Sequence, residues 1–186
     1  MVAAPVAPEI DAAVWGVVEN TARLTWRAHK KYFMLFPLTV EGSFSRIEGD
    51  IVFHSESPTS ADVALRIPVS SHSSGNGQRD KHMSGPDFFD SEQHPDITFT
   101  SEHIHAVGND PHAYHVHGIL TVRGNARPIA LSGTFVPGTD RRRAHVTLTG
   151  EIDRRDFGIT WKKEPFIWLG NEITLAIDVD LEYRGN

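Results

Sequence analysis

An all-β antiparallel fold, a barrel or a sandwich, is what this chain of 186 residues predicts, and three features predict it. About nine short segments alternate apolar and polar side chains with the two-residue period of a half-buried strand. Gly, Pro, Asn and Asp punctuate the gaps between them at short spacing. No stretch carries the periodicity of an amphipathic helix longer than a turn or two. One face of each strand is apolar and the other wet, so the apolar faces must look at one another across a single interior. A closed sheet of about eight strands leaves an interior that is either filled by side chains or holds one small ligand, and the alternation alone leaves both open.

Residues 1–13 carry Pro5 and Pro8 and read as a disordered arm, leaving 14–186 as one domain. The start also lacks the basic region and continuous apolar core of a signal peptide. A cytoplasmic location is therefore expected, or a periplasmic one if Met1 is not the natural start. Residues 14–19 and 22–28 read as two strands about a turn at Asn20-Thr21, with Leu24, Trp26 and Ala28 opposed to Arg23, Thr25 and Arg27. Residues 29–37, basic and then apolar, fit either a short helix over a barrel mouth or the lead into a strand. Strands follow at 38–44 and 49–53, where Gly42 and Gly49 suit bulges or sharp bends. Residues 61–69 alternate Val63, Leu65, Ile67 and Val69 against Asp62, Ala64, Arg66 and Pro68, the proline marking a strand end or edge.

Residues 70–78 form a polar loop feeding the least generic stretch of the chain. From Arg79 to His94 it is polar, broken by Gly85-Pro86 and anchored by Phe88-Phe89, so a loop or short helical turn is expected. A strand begins after Pro95, with Ile97, Phe99 and Ser101 on one face. Turn residues at 107–111, 124–125 and 140–143 separate strands at 114–123, 129–135 and 145–153. The last strand, 173–183, alternates most cleanly, with Ile173, Leu175, Ile177, Val179, Leu181 and Tyr183 inward.

Composition excludes several classes of function. A formal charge of −6 offers no basic excess for nucleic acid, and no apolar run approaches the roughly 20 residues of a membrane-spanning helix. With no cysteine there is no disulfide, thiolate nucleophile or Cys-ligated metal. Serines sit in no Gly-x-Ser-x-Gly elbow, and Gly75-Asn76-Gly77 lacks the strand and helix of a phosphate loop. Asp80, His82, Asp87, Asp90 and His94 are the usual acid/base residue types, but short polar side chains in a Gly/Pro-punctuated loop more commonly bond its backbone, so a structural role is expected. His103-x-His105 and His115-x-His117 would meet at one metal ion only if both pairs share a face and a register, which spacing does not fix. No catalytic residue and no metal site is assigned.

Three fixed-spacing elements of the central stretch, Arg79-Asp80-x-His82-Met83, Asp87-Phe88-Phe89-Asp90 and His94-Pro95-x-Ile97-Thr98-Phe99-x-Ser101, resemble the signature of the YceI-like family. Val40-x-Gly42-x-Phe44, the hairpin Gly118 to Gly124 with Arg127-Pro128-Ile129, and Arg154-x-x-Phe157-Gly158 extend the resemblance over roughly 15–182. Ala126, where the family usually has Thr, and the polar run Ser71-His72-Ser73-Ser74 depart from it. The resemblance implies a lipocalin-like antiparallel β-barrel of about eight strands, with a short helical or loop segment over one mouth. It further implies binding, storage or transport of a polyisoprenoid lipid such as an isoprenoid quinone, with no catalytic cofactor. The cavity wall would then include Trp26, Phe44, Leu65, Phe99, Leu120, Phe135, Leu148, Phe157 and Leu175, and polar loop residues at the mouth would meet the head group. A homodimer is implied too, in keeping with the apolar run from Tyr32 to Phe36. An enzyme acting on an isoprenoid lipid, and a filled barrel serving as an interaction module without ligand, stay open as alternatives.

Overall fold

The computed structural model describes residues 12–32, 36–55, 57–161 and 167–185. Eleven strands and one α-helix follow in chain order: β1 Ala13–Val17, β2 Arg23–Tyr32, β3 Phe36–Phe44, β4 Glu48–Phe53, β5 Ala61–Pro68, β6 His72–Ser73, α1 Gly77–Ser84, β7 Asp96–Ala106, β8 Ala113–Val122, β9 Asn125–Pro137, β10 Arg143–Asp153 and β11 Ile167–Gly185. All pairings are antiparallel, and β1 pairs with both β4 and β11, which closes the ring β1-β4-β5-β7-β8-β9-β10-β11.

The closed barrel therefore has eight strand positions, and three of them are split. The 19-residue β11 lies along β2 over its first half and along β1 over its second, with Asp178 opposite Arg23 and Leu181 opposite Val17. β1 and β2 are thus two segments of one strand line, and β3 with β4 and β6 with β5 repeat the arrangement beside them. The turn expected at Asn20-Thr21 does not reverse the chain. Asn20 is left-handed at φ 64, but the Val18 amide donates to the Asp180 carbonyl at 2.9 Å and the Thr21 hydroxyl accepts from the Asp180 amide at 3.3 Å. Those bonds hold the interruption against β11, so the chain bulges and resumes in the same direction.

The inward faces follow the alternation. Leu24, Trp26 and Ala28 on β2, Ile67 on β5, Phe99 on β7, Leu120 on β8 and Leu175, Val179 and Leu181 on β11 are buried. His29 to Tyr32 complete β2 and Phe36 opens β3, so the described ends of the 29–37 segment are strand. Residues 33–35 lie outside the described set, and with them most of the apolar run behind the expected homodimer; residues 1–11 of the arm do likewise.

The helix over the mouth is α1, which starts two residues ahead of the stretch expected to hold a helical turn. Asn76 caps it, its side-chain oxygen accepting from the Arg79 amide at 3.0 Å, and Gly85-Pro86 ends it. Polar on nearly every face, α1 buries only Met83 and is held by what surrounds it, not by its own propensity.

Candidate functional site: an apolar lumen beneath a helical lid

The barrel interior is not filled. Its far chamber is a cavity of about 110 Å³ and its near chamber, under α1, one of about 100 Å³. The accessible surface of both is wholly apolar. Of the nine wall residues expected from sequence, Leu65, Phe99, Phe135 and Leu148 line the far chamber and Trp26, Phe44 and Phe157 the near one. Leu120 and Leu175 line both, together with Leu24, and form the neck between them. Leu65, Phe135 and Leu148 are only partly buried although they face inward, which is how lumen residues look when no side chain opposes them.

The near chamber shares walls with a surface cleft. Trp26, Met83, Phe88 and Leu169 line the near chamber and also a cleft beside α1, whose other walls include Asn76, Gln78, Arg79, His82 and Trp161. A polar rim thus adjoins the apolar chamber. At the opposite end Trp15, Phe53, Phe135 and Tyr183 pack edge-to-face and tilted, with neighbouring centroids 5.7–6.3 Å apart.

The lid is pinned from three sides. Phe88 and Phe89 are both buried, Phe89 packing on Phe44 and on His72 at ring separations of 5.4 Å. Arg123, left-handed at φ 51 in the two-residue Arg123-Gly124 hairpin turn, donates to the Pro86 carbonyl at 2.9 Å and to the Gly158 carbonyl at 2.6 Å, tying the loop after α1 to the segment after β10. Buried Arg154 donates to the carbonyls of Ile159, Leu169 and Gly170 and to the Asn171 side chain, fixing the 3-10 turn Arg154–Phe157 to the start of β11. Burial lowers its pKa, opposed by nearby Asp153. A guanidinium keeps its charge regardless, and here neutral oxygens solvate it in place of water.

The expectation that the loop carboxylates act on structure agrees with their partners. Asp80 accepts from the Ser74 amide at 2.8 Å and from the Ser74 hydroxyl, His82 meets Asp87 at 3.3 Å, and Asp90 is left-handed with its amide on the Gly85 carbonyl. Partial burial would raise the Asp80 pKa, but the hydrogen bonds from Ser74 and Ser73 and the nearby His72 outweigh it and hold the carboxyl below its usual range.

Sequence reasoning missed His72, which it left in a polar loop. Its side chain is 3% exposed, stacks on Trp26 at 5.8 Å and accepts from the Trp26 indole N–H at 3.2 Å, while its Nδ1 lies 3.8 Å from Asp80. A Cβ at Gly42 would fall 2.7 Å from the Trp26 ring and 2.9 Å from His72 Nε2, so only glycine leaves room for the pair. The signal available was Val40-x-Gly42-x-Phe44, which marked a close approach without saying to what. Burial lowers the His72 pKa below 6.5, with Arg79 acting in the same sense and Asp80 against.

A pH dependence follows from that direction. The unfolded chain takes up a proton on His72 at higher pH than the folded one, so stability rises with pH across the interval. The contribution is complete above 6.5 and is lost as pH falls through the lower folded value. Asp80 acts in the same sense but below 3.8, outside this window. Thermal melts at about pH 7.5 and pH 5 should show the wild type losing more than His72→Gln, which keeps an acceptor for Trp26 but does not titrate. Equal losses in the two chains would place the sensitivity elsewhere.

A closed antiparallel barrel with a hollow apolar lumen and a lidded mouth defines a lipocalin-like class. Within it the chain belongs to the YceI-like family, whose domain matches residues 15–181. A UPF0312 protein of Pectobacterium carotovorum subsp. carotovorum is 30% identical over 143 residues, 75% of this chain and 71% of the relative. Among solved structures, Burkholderia cenocepacia BcnA superposes with a TM-score of 0.70 at 21% identity, covering 86% of this chain and 95% of that one. A polyisoprenoid binding domain from Saccharophagus degradans, implicated in plant cell wall breakdown, gives a TM-score of 0.67 at 13% identity, covering 91% of this chain and 98% of its own. Both structural likenesses bear on the fold.

Proposed function

We propose that this barrel binds, stores or carries a polyisoprenoid lipid, its tail threaded from the mouth beside α1 through the Leu24, Leu120 and Leu175 neck into the far chamber. The observation that carries the reading is a pair of wholly apolar chambers sharing Leu24, Leu120 and Leu175, the nearer of which shares walls with a polar-rimmed cleft. Two narrow chambers that share a wall suit a slender chain more than a compact ring system. The polyisoprenoid binding domain of Saccharophagus degradans shares this fold and supports the choice of lipid.

Energetics ask for nothing more than burial. Each CH₂ removed from water contributes about 0.8 kcal/mol, so roughly ten well-buried carbons match the ~8 kcal/mol of micromolar binding before ordering costs are taken off. The polar rim, with Asn76, Gln78, Arg79 and His82, is where a head group would sit.

The lining favours binding over turnover. In the far chamber the hydroxyl-bearing residues are Tyr114 and Thr134; Tyr114 donates to the Pro111 carbonyl at 2.9 Å and Thr134 pairs with Thr147 at 2.9 Å. Neither is set beside a base that would activate it.

The test is an organic extract of the purified protein examined by mass spectrometry, then titration with isoprenoids of increasing length. Affinity should rise with each isoprene unit until the lumen is full and depend less on the head group. No co-purifying lipid, together with no saturable length-dependent binding, would leave the ligand-free interaction module as the better reading.

A further inference from the structure

The barrel wall carries a second constellation, on the face turned away from the lumen. On β7 the inward positions Ile97, Phe99 and Ser101, continued in phase, would send His103 and His105 into the apolar interior. They do not go there. The β7–β8 register shifts between Ser101 and His103, a bulge at which the Ser101 hydroxyl accepts from the Val63 amide at 2.8 Å. The bulge inverts the phase, so Ile104 packs against the core and His103 and His105 are exposed.

The same register sets His103 opposite His117 and His105 opposite His115, and all four imidazoles stand exposed on one outer face of the β7–β8 hairpin. His103 and His105 rings are 6.1 Å apart, His105 and His117 rings 5.8 Å. His115 turns aside to Ser132 at 2.9 Å. The shared face and register that the sequence left open are therefore both present. A polar groove beside His103 and His105 is also lined by the carboxylates of Asp62 and Glu102.

We propose that His103, His105 and His117 form a binding site for one divalent transition-metal ion of the zinc, nickel or copper type. Imidazole is a preferred ligand for these ions, and the carboxylates of the groove favour a cation over an anion at this spot. With metal–nitrogen bonds of about 2.0–2.1 Å, two imidazoles on one tetrahedral ion have ring centres roughly 5–5.5 Å apart. The separations on the two sides of His105 exceed that by up to about an ångström. Among the described residues no group of three such side chains stands placed to hold a metal ion, so the site forms only when the exposed rings rotate toward one another. Exposed side chains make such rotations within nanoseconds. Water fills the remaining coordination positions, and the site is independent of whatever occupies the lumen.

The experiment is calorimetric titration of the full chain, purified without an affinity tag, with zinc chloride at about pH 7.5, repeated with copper(II) followed by its visible absorption. One equivalent should bind saturably. The variants His105→Gln and His117→Gln, exposed and so expected to fold, should each weaken binding about tenfold or more, and the double variant should abolish it. His145→Gln, whose ring instead meets Asp180 at 2.8 Å, serves as the control and should bind as the wild type does. Absence of saturable zinc and copper binding, or binding that persists undiminished in the double variant, overturns the proposal.

Discussion

Phe89→Ala should destabilise the folded protein by about 3–5 kcal/mol, because the ring it removes is buried and has nothing to replace it. Phe89 is 8% exposed and rests edge-on against Phe44 and tilted against His72, so one ring joins the lid loop, β3 and β6. Its amide donates to the Met83 carbonyl at 2.9 Å, which keeps the backbone in place and concentrates the loss in the side chain. Phe89 also lines the near chamber, so part of its ring already lacks packing partners and has fewer contacts to lose, and the cost belongs at the lower end of the range. For a chain of this length each kcal/mol moves the melting temperature by about 2–4 °C, so a fall of roughly 6–12 °C is expected in a thermal melt. An unchanged melt would show that the loop from Gly85 to His94 is not anchored by its aromatic pair.

That anchor was legible in the sequence because two adjacent phenylalanines in an otherwise polar loop have few places to go but inward. β5 and β11 were legible for a related reason: over 61–67 and 173–181 each inward residue is more buried than its outward neighbours, so period and burial agree there. Eight of the nine expected wall residues lie on strands, where alternation fixes the face once the sheet closes, and Phe157 meets the near chamber from the 3-10 turn after β10. What alternation cannot carry is a change of phase. The bulge between Ser101 and His103 adds one residue to β7 and leaves no local signature, because Ser, Glu and His are acceptable on either side of it.

Long-range pairing was hidden for a second reason. β1 with β2, β3 with β4 and β5 with β6 each look like separate short strands along the chain; only their common alignment across three neighbouring strand lines makes them three positions of an eight-stranded ring. Buried polar groups were the third blind spot. His72 read as a loop residue and Arg154 only as part of the family resemblance, because their burial depends on partners 46 residues away for Trp26 and 16 for Gly170. Whether the barrel is hollow was likewise a question of summed side-chain volume, and only the closed ring with its half-buried Leu65, Phe135 and Leu148 answers it.

Leu120→Asp should abolish binding of long isoprenoids, because it sets a carboxyl in the neck through which the tail must pass. Leu120 is 5% exposed and lines both chambers. A carboxylate there has no cation among the apolar side chains of the neck, and burying it beneath a bound tail without a partner costs far more than one CH₂ returns. Protonation would remove the charge at a cost of its own, and the polar group would still need water that a tail displaces. Since this variant bears on folding as well as on binding, Leu120→Trp is its companion. The indole keeps the neck apolar but narrows it, at an overpacking cost of about 1–3 kcal/mol that a melt can check. With the neck obstructed, short isoprenoids that fit the near chamber should bind Leu120→Trp about as they bind the wild type. Longer ones should gain nothing from each added unit, where the wild type keeps gaining. If affinity for Leu120→Trp climbs with length as steeply as in the wild type, the tail does not run through the neck, and the threaded arrangement fails even if a lipid binds.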